Sequence, residues 1–168
     1  MKNTLIVVDM QNDFIDGALG SAEAQAIVPA VLEKIRLRRE EGWEIIYTRD
    51  THGEDYLDTP EGRKLPVPHC IKGTEGWQIP KALYVEGCIC IDKPTFGYTR
   101  WTEREFDRIE LVGLCTDICV VSNALLLKAM FPAAQISVDP LCCAGVTPES
   151  HDAALKTMAM CQIDICSL

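Results

Sequence analysis

A chain of 168 residues is long enough for one domain with a full core and short for two, and 48% hydrophobic with 24% charged residues fits an ordinary globular protein. With 16 Lys and Arg against 25 Asp and Glu, the formal charge of −9 repels phosphate and argues against nucleic acid and anionic membrane as partners. The apolar run TLIVV near the start is too short for a signal-peptide core or a membrane span, so a cytoplasmic location is expected.

Apolar runs alternate with amphipathic segments from end to end. Thr4 to Asp9 (TLIVVD) predicts a first strand buried on both faces. Pro29 suits the first position of a helix whose apolar face carries Val28, Val31, Leu32 and Ile35, with Gly42 ending it. Trp43 to Thr48 predicts a second strand, and residues 49–82, rich in Pro, Gly and charge, a long irregular stretch. Cys88 to Asp92, Arg108 to Leu114 and Gln135 to Asp139 predict three further strands, with a helix starting near Thr116 or Asp117. Thr147 can cap a helix opened by Pro148 and carrying Ala153, Ala154, Leu155 and Met158; IDICSL at the end predicts a sixth strand. Six strands with intervening helices imply one α/β domain over residues 1–168, a parallel sheet covered on both faces in three α/β/α layers.

In such sheets ligands bind beyond the carboxyl ends of the strands, near the point where strand order reverses. Asp9 ends strand one, Asp50 follows strand two, Lys93 follows strand three, and Cys115 to Cys119 follow strand four. An acid, a cation and a thiol therefore meet at one edge. A thiol reacts as its thiolate, which a helix N-terminus favours, and Cys119 falls in the first turn of the helix after strand four. The dipole supplies roughly 0.3–1 kcal/mol against about 1.4 kcal/mol per pKa unit, so a cation and a base must help. Lys93 can hold the thiolate and Asp9 can accept and return the proton. Singly, each residue has a plainer role: a packed cysteine, a capping aspartate, a solvated lysine. Their shared edge is what raises the joint reading.

The nine cysteines are an odd number that cannot all pair, and several lie in apolar runs where free cysteine behaves as a small hydrophobe. With no C-x-x-C, zinc ribbons and thioredoxin-like motifs are not indicated. Asp50 and His52, two apart in an extended stretch, share one side, and His69 lies further along the long loop. Two histidines and a carboxylate suit a divalent metal with open positions, although loops also use these residues as caps.

Three stretches, IVVDMQNDF (Ile6 to Phe14), DKPTFG (Asp92 to Gly97) and GLCTDICVVSNA (Gly113 to Ala124), resemble the isochorismatase-like cysteine hydrolases, and within them the nicotinamidases, over nearly the whole chain. The resemblance implies a six-stranded Rossmann-like sheet in the order 3-2-1-4-5-6 and a triad of Asp9, Lys93 and Cys119. It also implies a cis peptide at Leu114–Cys115 and an oxyanion site made by the backbone N–H groups of Cys115 and Cys119. In the nicotinamidases a metal holds the ring nitrogen of the substrate. Asp50, His52 and His69 match its ligands, and Glu61, Asp58 or Glu54 could complete the set. Zinc, iron and manganese are all open, and no organic cofactor is implied. Phe14 matches one ring-stacking aromatic. The other falls on Pro66, a departure for which Phe96 or Trp77 could compensate.

The expected function is deamidation of a small carboxamide, nicotinamide first, through a thioester on Cys119. A related hydrolase of another small amide, a ureido compound or an isochorismate-like substrate is the alternative. Outside enzymes, the rival is a metal- or redox-responsive binding protein on the same fold. The apolar run Asn123 to Phe131 could pack on a second copy of the chain as readily as on the sheet. His151 is expected to be a surface residue without a role.

Overall fold

The computed structural model describes residues 1–166. Six strands, β1 (Asn3–Val8), β2 (Glu44–Asp50), β3 (Ile89–Lys93), β4 (Arg108–Leu114), β5 (Gln135–Ala144) and β6 (Asp164–Ile165), form one sheet in the order β3-β2-β1-β4-β5-β6. Every pairing is parallel. The helices are α1 (Asn12–Ile15), α2 (Ala22–Glu40), α3 (Pro60–Lys64), α4 (Val121–Met130) and α5 (Pro148–Met160). Ser167 and Leu168, the end of the expected last strand, lie outside the described residues.

Strand alternation sorts the apolar residues into two cores. Leu5, Val7, Ile45, Tyr47, Val112 and Leu114 face α2, whereas Ile6, Val8, Ile46, Leu111 and Val138 face α4 and α5 through Ala124, Leu127 and Met158. Each such side chain fully buried contributes roughly 1.5–3 kcal/mol, which holds the sheet as a rigid platform for whatever stands at its edge.

Two elements, α2 and β5, differ from expectation. α2 starts at Ser21, whose side chain accepts the Ala24 N–H, and Pro29 lies inside the helix. The cap sets where the helix starts, and burial of Ile27, Val31 and Ile35 on its inner face outweighs the cost of the proline inside it. Val31 and Ile35 are buried as expected, but Leu32 is exposed, and the inner face includes Lys34 and Arg38. These cations reach Glu110 at 2.8 and 2.5 Å, and Lys34 also pairs with Asp139 at 2.9 Å. A hydrophobic period reads such residues as solvent-facing, yet here they pair beneath the helix. β5, finally, continues past Asp139 to Ala144. Its register against β4 shifts between Leu111 and Gly113, so the ladder does not need the N–H that Pro140 lacks.

Register aligns the strand ends. Asp50 pairs with Lys93, Thr48 with Val8, and Val8 with Gly113. Gly113 has φ 122°, and a Cβ there would run into the Val8 backbone, so only glycine lets β4 lie so close to β1 just before Asp9.

Candidate active site

Asp9 leaves β1 with φ 48°, a conformation unusual for a side-chain-bearing residue. Its backbone N–H donates to Thr48, and the Thr48 hydroxyl donates to Asp9 Oδ1 at 2.6 Å, fixing the fully buried carboxylate. Lys93, also fully buried at the end of β3, brings Nζ to 2.6 Å from Asp9 Oδ2 and 3.6 Å from Cys119 Sγ. Lys93 is therefore in reach of both other residues expected at this sheet edge. Lys93 Nζ also donates to the Thr95 carbonyl at 3.1 Å.

Cys119 sits in a π-helical turn, Thr116–Val120, that runs directly into α4. The Leu114–Cys115 peptide is cis, as the resemblance implies. The Cys115 carbonyl accepts the N–H groups of Ile118 and Val120, drawing the turn together around the sulfur.

Burial and the Lys93 charge act on the thiol in opposite directions. Burial, and then the charge of Asp9, push the Cys119 thiol well above its ordinary range, with Lys93 opposing only in part. Attack by sulfur therefore calls for a base beside it. Burial also raises the Asp9 carboxyl despite Lys93, making Asp9 a better proton acceptor than an exposed aspartate. For Lys93 burial works against the charge, but Asp9, Cys119 and Asp50 together raise its pKa, so the ammonium persists at neutral pH. Burial pushes Cys115 up to about 12, so its thiol stays protonated.

Beside this group, one carboxylate and two imidazoles converge. Asp50 Oδ2 lies 2.8 Å from His52 Nε2 and 3.5 Å from His69 Nε2, and Glu61 Oε1 lies 3.7 and 4.0 Å from the same nitrogens. Single ligand atoms from Asp50, His52, Glu61 and His69 all fall within 4.8 Å of one another. His69 Nδ1 stands 2.7 Å from the Val67 carbonyl, an arrangement that protonates Nδ1 and leaves Nε2 as a lone-pair donor. The buried Asp50 Oδ1 has no hydrogen-bond partner among the described residues. Two imidazoles and two carboxylates with inward donor atoms fit a divalent metal. Of the three acids weighed as a further ligand, Glu61 joins the cluster, while Glu54 and Asp58 are exposed. Burial opposes the Asp50 charge, but the adjoining His52 and His69 rings and the charge of Lys93 hold its carboxyl well below the usual range.

Both groups open on a cavity of about 580 Å³, a size suited to a small organic molecule. Phe14, Phe96, Leu65, Ile118, Cys115 and Cys119 are among its lining residues. Trp77 does not take the place of the missing aromatic. Its indole N–H donates to Thr51 at 2.9 Å and Arg49 stacks over its ring at 3.6 Å, away from the cavity. The loop preceding His69 lends Leu65 to the cavity wall.

Sequence reasoning passed over the residues that brace the site. Gln11 donates from Nε2 to the carbonyls of Asp50 and Trp77, and its Oε1 accepts the Asp50 N–H. Asp13 accepts the Cys70 N–H at 2.8 Å, anchoring the chain next to His69. Buried Asn123 donates to the carbonyls of Phe96 and Cys119 and accepts from Tyr98 and Trp101. Gln11 and Asp13 lie within IVVDMQNDF and Asn123 within GLCTDICVVSNA, but apart from the Cys119 carbonyl their partners are far away in sequence. His151, expected at the surface, is half-buried, with Nδ1 at 2.7 Å from the Thr116 hydroxyl.

The isochorismatase domain family matches residues 3–168. The nicotinamidase/pyrazinamidase of Mycobacterium tuberculosis is 26% identical, covering 97% of this chain and 98% of its own. An uncharacterized isochorismatase family protein PncA of Bacillus subtilis is 30% identical over 95% of each. Among solved structures, the pyrazinamidase of Pyrococcus horikoshii in complex with zinc superposes with a TM-score of 0.86 at 28% identity, covering all of both chains.

Proposed function

The chain belongs to the isochorismatase domain family, and from that premise we propose that it is a cysteine-dependent amidohydrolase converting a small aromatic carboxamide, nicotinamide first among them, to its acid and ammonia. The observation that carries this reading is the single ammonium of Lys93 in reach of both Asp9, at 2.6 Å, and Cys119, at 3.6 Å, beside an apolar cavity. Relatives named for nicotinamidase and pyrazinamidase activity, alike over nearly their full length, support the substrate class.

In this mechanism the carboxamide lies between Phe14 and Phe96 with its carbonyl carbon facing Cys119. Asp9 takes the thiol proton as sulfur attacks, and the C–S bond forms while the carbonyl π pair moves onto oxygen. The backbone N–H groups of Cys115 and Cys119 receive that oxyanion. Asp9 returns its proton to the amide nitrogen, the C–N bond breaks, and ammonia leaves a thioester. Asp9 then deprotonates water, which attacks the thioester. The C–S bond breaks, Cys119 recovers its proton, and the acid departs. Lys93 keeps its charge throughout, balancing first Asp9 and then the transient thiolate.

Asp50, His52, Glu61 and His69 would hold a divalent ion, zinc, iron or manganese, which when bound supplies a positive anchor for a ring nitrogen of the substrate. These side chains fix where the ring lies relative to Cys119. A second reading, hydrolysis of another small amide, a ureido compound or an isochorismate-like substrate by the same triad, is favoured by one feature: the loop before His69 contributes aliphatic Leu65 to the wall.

Ammonia release from nicotinamide, by the protein and by Cys119→Ala, tests the proposal. Release by the first alone is the expected result. Full turnover by Cys119→Ala would remove the assigned nucleophile, and silence from both would shift the substrate to the second reading.

A further inference from the structure

Thr116 is fully buried one residue after Cys115, and its Oγ1 lies 2.7 Å from Nδ1 of His151 on α5. The Thr116 carbonyl accepts the N–H of Val121 at the start of α4, so the residue is gripped on two sides. A second tie runs alongside: both carboxylate oxygens of Asp117 lie 3.2 Å from the Val146 N–H, in the loop between β5 and α5. Gly145 makes room for the approach. A Cβ there would stand 2.9 Å from both the Cβ and the backbone nitrogen of His151, so a larger residue would push the start of α5 away from Thr116. His151 itself is not among the residues lining the cavity.

We propose that His151 is a positioning residue for the cysteine turn. Through its hydrogen bond to Thr116 it fixes the segment carrying Cys115 and Cys119, so that two backbone N–H groups and the sulfur face a common point. The inference rests on the reading of Cys119 as nucleophile. A threonine hydroxyl rotates freely, and a buried one without a partner seeks another, so losing the imidazole releases the turn at its first residue. No proton passes between His151 and substrate.

The test compares His151→Ala, His151→Asn and the near-isosteric Thr116→Val with the unmodified protein. Two rates are read at one pH: ammonia release from nicotinamide, and carboxamidomethylation of Cys119 by iodoacetamide followed by mass spectrometry. Losing one such hydrogen bond should lower kcat and the alkylation rate about fivefold, with KM changed less than about twofold. An asparagine amide can reach the position of Nδ1, so His151→Asn should recover most of the loss. Thr116→Val should match His151→Ala, with no further loss when the two are combined. Unchanged alkylation in both His151→Ala and Thr116→Val overturns the proposal. So does a loss in His151→Ala that His151→Asn fails to restore, because packing and not the hydrogen bond would then be responsible. If His151→Ala does not fold, Thr116→Val decides alone. If the unmodified protein leaves nicotinamide intact, the substrate assignment fails while the alkylation rates still judge His151.

Discussion

Asp50 and Lys93 are register partners at the ends of β2 and β3, and Asp50 divides its carboxylate between two tasks: Oδ1 lies 3.8 Å from Lys93 Nζ, while Oδ2 lies 2.8 Å from His52. One side chain thus joins the thiol group to the histidine cluster.

Replacing Asp50 should therefore damage both. Asp50→Asn is expected to lower retention of a divalent ion at least about tenfold, read by elemental analysis after gel filtration, and to reduce turnover in parallel. Treating the unmodified protein with a chelator should abolish turnover, and adding back zinc, iron or manganese should restore it. Undiminished metal retention in Asp50→Asn would break the assigned ligand set.

Lys93 and Asp9 form an ion pair that is fully buried on both sides. Lys93→Met leaves an uncompensated carboxylate and should destabilise the fold by about 3–5 kcal/mol, measured by denaturant unfolding. Removing the second charge as well, in Asp9→Asn/Lys93→Met, should regain part of that stability while leaving the protein inactive. A double variant less stable than Lys93→Met would show that the pair does not account for the loss.

Burial and Asp9 raise the Cys119 thiol well above its ordinary value of 9.0. A raised acid pKa means the thiolate appears only at alkaline pH. Alkylation of Cys119 without substrate should still be accelerating above pH 9. A plateau reached by neutral pH would indicate a preformed thiolate.

The pairs under α2 make a separate prediction about stability. Burial opposes the Lys34 charge, but hydrogen bonds to Glu110 and Asp139 prevail and raise its pKa above 10.5. A raised folded-state pKa contributes stability that is complete below the unfolded value and lost as pH climbs through the folded one. The difference in melting temperature between the unmodified protein and Lys34→Met should therefore hold constant up to about pH 10 and shrink above it. A difference that grows with pH would reverse the sign of the argument.

The strand ends were legible in the sequence because parallel strands make continuous apolar runs, and Asp9, Asp50, Lys93 and Cys119 stand where those runs stop. The sheet-edge rule then gathers them without knowledge of any distance. Pairing was not legible: that Asp50 faces Lys93 depends on register, which no local pattern carries. Lys34 and Arg38 were hidden because a charged residue on a helix reads as exposed until its partner strand is known. Pro29 misplaced the start of α2 because the stronger signal, the Ser21 cap, lay eight residues earlier. Gln11, Asp13, Asn123 and His151 each act through at least one partner distant in sequence, so their residue types alone did not mark them out.

The central claim is that Cys119 becomes acylated by a small carboxamide. Rapid acid quench of the protein turning over nicotinamide, followed by peptide mass spectrometry, tests it most directly. A nicotinoyl adduct on the peptide bearing Cys119, formed and lost at rates compatible with turnover, is the predicted result. Steady ammonia release with no adduct at any time, or with the adduct on a different cysteine, would contradict the account.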